Sequence, residues 1–203
     1  MKKEYILKEK TIEENYTKRL QKSTNSTWKK ALDAQFQRPY RWNLNRLNLG
    51  KTLDVGCGIG RNLINLSNDS VGVDHNPHSI KIAKEKGLNA LTTDEFNKSK
   101  YNEKDVFDSL LLAHVIEHMR FDDAIMIIEK YLPCVKNMIV IICPQEKGFK
   151  SDKTHVNFFN KSDIENILNS FGLKVVKSYS FPLRKQAGKI FIYNENIVVA
   201  RKI

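Results

Sequence analysis

The chain has 203 residues, room for one domain of ordinary size. Apolar residues at 41% and charged residues at 28% exclude a disordered chain, and the longest apolar run, Met138–Cys143, is far too short to span a bilayer. The net charge of +11 sits mostly at the start, with +8 on residues 1–51 and +3 on the rest, which suits either a solvated basic face or contact with an acidic partner, nucleic acid or an anionic surface.

The opening Met1-Lys2-Lys3-Glu4 has no signal-peptide core, and Cys57, Cys134 and Cys143 form no CxxC pair. Both features point to a reduced, cytoplasmic protein. Apolar positions scattered through residues 5–37 (Ile6, Leu7, Ile12, Tyr16, Leu20, Trp28, Leu32, Phe36) predict one or two helices with a break at Ser23–Thr27. Pro39 suits the first turn of a short helix over Tyr40–Leu47, which Gly50 would end. From there, short apolar runs alternate with amphipathic stretches. Strands are predicted at Lys51–Val55, Ser70–Val73, Leu88–Leu91, Val106–Leu112, Asn137–Cys143 and Leu173–Tyr179. Helices are predicted at Arg61–Ser67, Ser79–Lys86, Glu95–Lys98 and Asp122–Leu132. A further helix, Ser162–Phe171, opens with a capping box Ser162-x-x-Glu165 and closes at Gly172. Strand alternating with helix predicts βαβ crossovers and a mostly parallel sheet. The last strand, Lys189–Arg201, follows a Pro/Gly-containing loop without a helix, so it is predicted to return antiparallel. The chain thus divides into an N-terminal helical lid or arm, residues 1–49, and an α/β core, residues 50–203.

The first strand runs into Asp54-Val55-Gly56-Cys57-Gly58-Ile59-Gly60-Arg61. Three glycines between a strand and a helix let the backbone turn sharply and approach a ligand closely. The GxGxxG dinucleotide fingerprint would need a third glycine where Arg61 stands. The carboxylate of Asp54, two residues before Gly56, suits a cationic ligand group better than a pyrophosphate. The second strand ends in Val71-Gly72-Val73-Asp74, and an acid at that tip can accept hydrogen bonds from both ribose hydroxyls or cap the following helix. Asp94, after the third strand, is either an adenine reader or part of an ordinary turn.

These segments, together with Ala113-His114-Val115-Ile116-Glu117-His118, resemble the ordered motifs of class I S-adenosylmethionine-dependent methyltransferases, in particular a small, type 11/23-like methyltransferase domain. The resemblance covers residues 50 to 203. It implies a Rossmann-like, doubly wound, mostly parallel seven-stranded sheet with an antiparallel last strand. It also implies S-adenosylmethionine as cofactor and S-adenosylhomocysteine as product. Carried over by position, the loop of Gly56, Cys57, Gly58 and Gly60 holds the methionyl part, Asp54 meets the amino group, Asp74 binds the ribose, and Asp94 and His114 lie along the rest of the cofactor. Tyr40 and Arg41, on the helix before the first strand, would fold over it as a lid or else form part of the core and surface. The Asn/Asp-Pro-Pro-Tyr/Phe segment of exocyclic-amine nucleic-acid methyltransferases is replaced here by His114-Val115-Ile116-Glu117.

His114, Glu117 and His118 stand at i, i+3 and i+4 and would share one face of a helix; His155 returns to the same sheet edge after the fifth strand. The four are candidate acid/base residues, substrate contacts or metal ligands, with packing and capping the structural alternative for His118 and His155. Their order is similar to the metal-binding arrangement of small-RNA 2′-O-methyltransferases and some quinone-pathway O-methyltransferases, in which two Glu and two His hold an ion near the acceptor hydroxyl. His114 stands at the first Glu position here. Three His and one carboxylate suit zinc, manganese or iron better than magnesium, and equally suit a metal-free site with His118 or His155 as base. The expected acceptor is a small molecule or biosynthetic intermediate, methylated on oxygen or nitrogen. The alternatives are RNA, with the basic arm on phosphates, and a non-catalytic cofactor-binding module.

Overall fold

The structure, a computed structural model, describes residues 38–203. The helices expected over residues 5–37, with the break at Ser23–Thr27, lie outside the described residues. Residues 38–45 are helical (α1) and lead through left-handed Asn48 and Gly50 into the sheet. The strands are β1 (Thr52–Val55), β2 (Val71–Asp74), β3 (Ala90–Thr92), β4 (Phe107–Ala113), β5 (Val135–Pro144), β6 (Lys174–Phe181) and β7 (Glu195–Arg201). The helices between them are α2 (Pro77–Glu85), α3 (Thr93–Asn97), α4 (Phe121–Tyr131), α5 (Glu146–Ser151) and α6 (Lys161–Ser170).

The seven strands lie in the order β3-β2-β1-β4-β5-β7-β6. The first five are parallel, and β7 inserts antiparallel between β5 and β6. This is the Rossmann-like methyltransferase architecture. Strand residues point alternately to the two faces. Leu110, Leu112, Ile139 and Ile141 pack under α4 and α6, while Leu111, Val140, Ile142 and Val199 meet Leu44 and Leu47 from α1 and the turn after it. Both faces are covered, which is why the central strands read as unbroken apolar runs. At the outer edge, β6 is largely exposed and carries Lys174 and Lys177, charges that discourage further strand pairing. No helix among the described residues is long and apolar enough to cross a membrane.

Four local expectations change. In place of a helix over Arg61–Ser67 there is one 3-10 turn, Leu63–Asn65. The Asn65 side chain donates to the Arg61 carbonyl at 3.1 Å, competing for an acceptor that a continuing helix would use. The capping box lies two residues earlier than Ser162/Glu165: Asn160 and Asp163 exchange side-chain and backbone hydrogen bonds, with Phe159 and Ile164 buried as the accompanying staple. Strand β7 starts at Glu195 rather than Lys189, because Lys185–Lys189 form a 3-10 turn and the Asn194 carboxamide accepts from the Leu183 amide at 2.9 Å across the loop. Helix α5, only six residues long and interrupted by Gly148, has no counterpart in the sequence pattern.

Candidate active site

The carboxyl ends of β1 to β5 and the start of β7 share one edge of the sheet, where open α/β folds place ligands. Two clusters lie along it.

The first is the glycine loop. Gly56, Gly58 and Gly60 all have positive φ (76°, 53° and 82°), and a Cβ on Gly56 would come within 2.4 Å of the Val115 side chain. The loop is pinned to β2. Gly56 and Cys57 donate their amides to the Val73 carbonyl, and Gly58 donates to Asp74 Oδ2 at 2.8 Å. Asp74 Oδ1 accepts from the Asn76 amide, also at 2.8 Å, while the Asn76 side chain caps α2. Asp74 therefore holds the loop first; His75 Nδ1 also stands 3.4 Å from Oδ1, and Oδ2 keeps a second lone pair. Asp54 is 1% exposed, and its Oδ2 has no hydrogen-bond partner among the described residues. Burial, with the charge of Asp74 beside it, pushes the Asp54 carboxyl up to about 7. The Cys57 side chain turns away from the edge into a small core with Leu63 and Ile80; burial holds its thiol well above the usual range. Asp94 is exposed in the first turn of α3, which Thr92 and Glu95 cap reciprocally.

The second cluster follows β4. His114, with φ 59°, turns the chain, and only Glu117 and His118 enter the 3-10 turn Ile116–His118. The shared helix face expected for all three is therefore not what unites them. Instead, His114 reaches sideways: Nδ1 lies 3.2 Å from Glu117 Oε1 and Nε2 lies 2.8 Å from Glu195 Oε1. Desolvation by the surrounding chain works against charge on this imidazole, whose side chain is still 46% exposed, but the two carboxylates outweigh it and raise its pKa to about 10. Glu117 is fully buried, and the His114 contact holds its carboxyl below the usual range despite that burial. Its Oε2 has no hydrogen-bond partner among the described residues.

His118 and His155 lie side by side, their ring centroids 4.7 Å apart and the rings tilted by 57°. His118 Nδ1 lies against Thr154 (3.3 Å from the carbonyl, 3.2 Å from Oγ1), and His155 Nδ1 lies 2.7 Å from the Phe149 carbonyl. Burial lowers the His118 pKa, helped by His155 and opposed by Glu117. Glu117, His118 and His155 bring ligand atoms within 4.8 Å of one another. His114 is outside this group. Phe149 and Phe158 line its outer side, with Phe149 stacked on His155 and edge-on to Phe158.

Tyr40 of α1 packs edge-on to Phe181 and donates its hydroxyl to the Tyr193 carbonyl; burial and nearby Glu195 raise its pKa. Arg41 is exposed. Sequence reasoning missed Glu195, Thr154 and the buried carboxamides of Gln145, Asn194 and Asn196. Asn194 and Asn196 flank Glu195 in an apolar strand context, which was the one available signal.

The methyltransferase domain family matches residues 27–178, three quarters of the chain. The chain belongs to that family. Among curated proteins nothing matches the sequence. Among solved structures, the methyltransferase is similar to a SAM-dependent methyltransferase from Archaeoglobus fulgidus (19% identity, TM-score 0.64, covering 80% of this chain and 93% of the other). It is also similar to magnesium protoporphyrin IX methyltransferase from Synechocystis with bound SAH (15%, 0.68, 96% and 97%). A possible histamine N-methyltransferase from Thermotoga maritima is a third (14%, 0.66, 95% and 98%). Family and fold together make the enzyme a class I S-adenosylmethionine-dependent methyltransferase.

Proposed function

We propose that this methyltransferase O-methylates a hydroxyl-bearing small molecule held against Glu117, His118 and His155. One observation carries the reading. Buried Glu117, one of whose oxygens has no hydrogen-bond partner among the described residues, brings a ligand atom within 4.8 Å of two imidazoles whose Nδ1 atoms lie against backbone carbonyls, on the same sheet edge as Asp54 and Asp74.

S-adenosylmethionine supplies an activated methyl group, so the protein's work is alignment, water exclusion and proton removal. The residues present fit it. The unpartnered oxygen of Asp54 suits the cofactor's amino group, since a buried acceptor calls for a donor. The remaining lone pair of Asp74 Oδ2 suits a ribose hydroxyl, Asp94 after β3 is the candidate for the adenine, and Tyr40 and Arg41 of α1 are candidates for a lid. The donor set of Glu117, His118 and His155 also fits a divalent ion of the zinc, manganese or iron kind, which would lower the pKa of an acceptor hydroxyl. Burial favours the neutral form of His118, leaving it able to accept the hydroxyl proton. The loop of residues 182–194 carries Arg184, Lys185 and Lys189 and no acid, which favours RNA as the second reading.

Calorimetry should show S-adenosylmethionine binding to the wild type and at least about a 100-fold loss in Asp74→Ala, where two loop amides also lose their acceptor. Release of S-adenosylhomocysteine across a panel of hydroxylated small molecules, with manganese and with chelator, then tests the acceptor and the ion. Full turnover in chelator removes the ion. Turnover on structured RNA alone, with binding that weakens steeply in salt, replaces the small molecule. A wild type that does not bind the cofactor ends the reading.

A further inference from the structure

We propose that His114 and Glu195 form a hydrogen-bonded brace that fixes the Glu117 carboxylate toward His118 and His155. His114 is then a positioning residue and not a fourth ligand. The inference rests on the reading that Glu117, His118 and His155 hold a divalent ion.

Both ring nitrogens of His114 face carboxylate oxygens, Glu117 Oε1 at 3.2 Å and Glu195 Oε1 at 2.8 Å. With both ring nitrogens occupied by carboxylate oxygens, His114 has no atom turned to the cluster, and among the described residues the ligand atoms within 4.8 Å of one another come from Glu117, His118 and His155. Glu117 has 1% of its side chain exposed. With Oε1 held by His114, its carboxylate has one oxygen left for the cluster, the unpartnered Oε2. The left-handed backbone at His114 aims the ring across β5 toward β7. Histidine is among the residues that tolerate this conformation.

Glu195 is itself clamped. It opens β7, paired between Pro144 of β5 and Phe181 of β6. Gln145 donates to Asn196 Oδ1 at 2.9 Å and to the Glu195 carbonyl at 3.4 Å, and its Oε1 accepts from Asn194 at 2.8 Å. A Cβ on Gly188 would come within 1.8 Å of Gln145 Oε1, so the glycine leaves the space this carboxamide fills. Three buried carboxamides thus hold the backbone around Glu195, whose carboxylate meets His114 and acts on Glu117 through it. His114 is one hydrogen bond removed from Glu117, the kind of partner that typically sets metal affinity by 10–100-fold, and Glu195 stands one bond further out.

Cobalt(II), titrated into protein freed of other metals and followed by calorimetry and visible absorption, tests the brace. Wild type should bind one ion, and Glu117→Ala should abolish binding. His114→Asn should bind at least about tenfold more weakly, and Glu195→Ala several-fold more weakly, each with an unchanged cobalt spectrum because the ligand set is intact. The double variant should bind about as His114→Asn does, since both act along one path. Wild-type affinity in Glu195→Ala, or a spectrum in His114→Asn that shows a lost nitrogen ligand, overturns the brace. A wild type that binds no cobalt ends the ion in the functional reading, and NMR of the ring protons then decides the brace. Two hydrogen-bonded His114 ring protons, one of them lost in Glu195→Ala, support it; their absence from the folded wild type overturns it.

Discussion

The two clusters on the sheet edge are assembled by opposite means. The glycine-loop half uses neighbours in sequence and backbone amides: Gly58 and Asp74 are 16 residues apart, and the loop closes on Val73 and Asp74. The histidine half uses side chains brought from far apart. His118 meets Thr154 across 36 residues, and His114 meets Glu195 across 81. The first arrangement presents a pre-shaped cradle whose geometry depends little on side-chain choice at Cys57 or Ile59. The second concentrates its chemistry in a few side chains, each held by a different element, so single substitutions should act on it separately from the cradle.

That separation can be broken at the histidine half, at the join and at the cradle. Glu117→Gln should lower turnover by at least about 100-fold, because a general base or metal-ligand role is lost. Cofactor affinity by calorimetry should stay within about twofold; a parallel loss would mean the halves are one unit. Gly56→Ala acts at the join, where the new Cβ meets β-branched Val115 at 2.4 Å and the backbone needs φ 76°. A loss of about 2–4 kcal/mol is expected, read as a drop in Tm of roughly 4–12 °C. Asp54→Asn should give the smallest effect, of opposite sign and confined by pH. With its pKa raised to about 7, native Asp54 binds more protons than the unfolded chain between about pH 4 and 7. Wild-type stability without cofactor therefore falls as pH rises through that window, and the penalty is full above it. Thermal melts should show Asp54→Asn more stable than wild type by about 2 kcal/mol at pH 8, with no advantage at pH 4, while cofactor binding is lost. Equal curves at both pH values would mean that the carboxylate is solvated.

What could be read from the sequence follows the same division. The alternation of strand and helix, the Asp54–Gly60 loop and Asp74 at the tip of β2 are all local patterns, and the sheet carries them as expected. Glu195 could not be found this way. It becomes part of the site only because β7 inserts between β5 and β6, a pairing that leaves no spacing signature linking residue 195 to residue 114. His114, Glu117 and His118 do lie close together, but through a left-handed turn and a 3-10 turn, not through helical spacing. The helix expected after Gly60 failed because Asn65 bonds back to Arg61, a local competition that apolar periodicity does not register.

The insertion of β7 also sets an order of assembly. As the chain emerges from the ribosome, β1 to β5 can pair and the glycine loop can close on β2 before Glu195 has been made. The brace on Glu117 then waits for the last strand to enter between two partners already synthesised. A nascent chain would close its glycine loop early and gain the His114–Glu195 contact last.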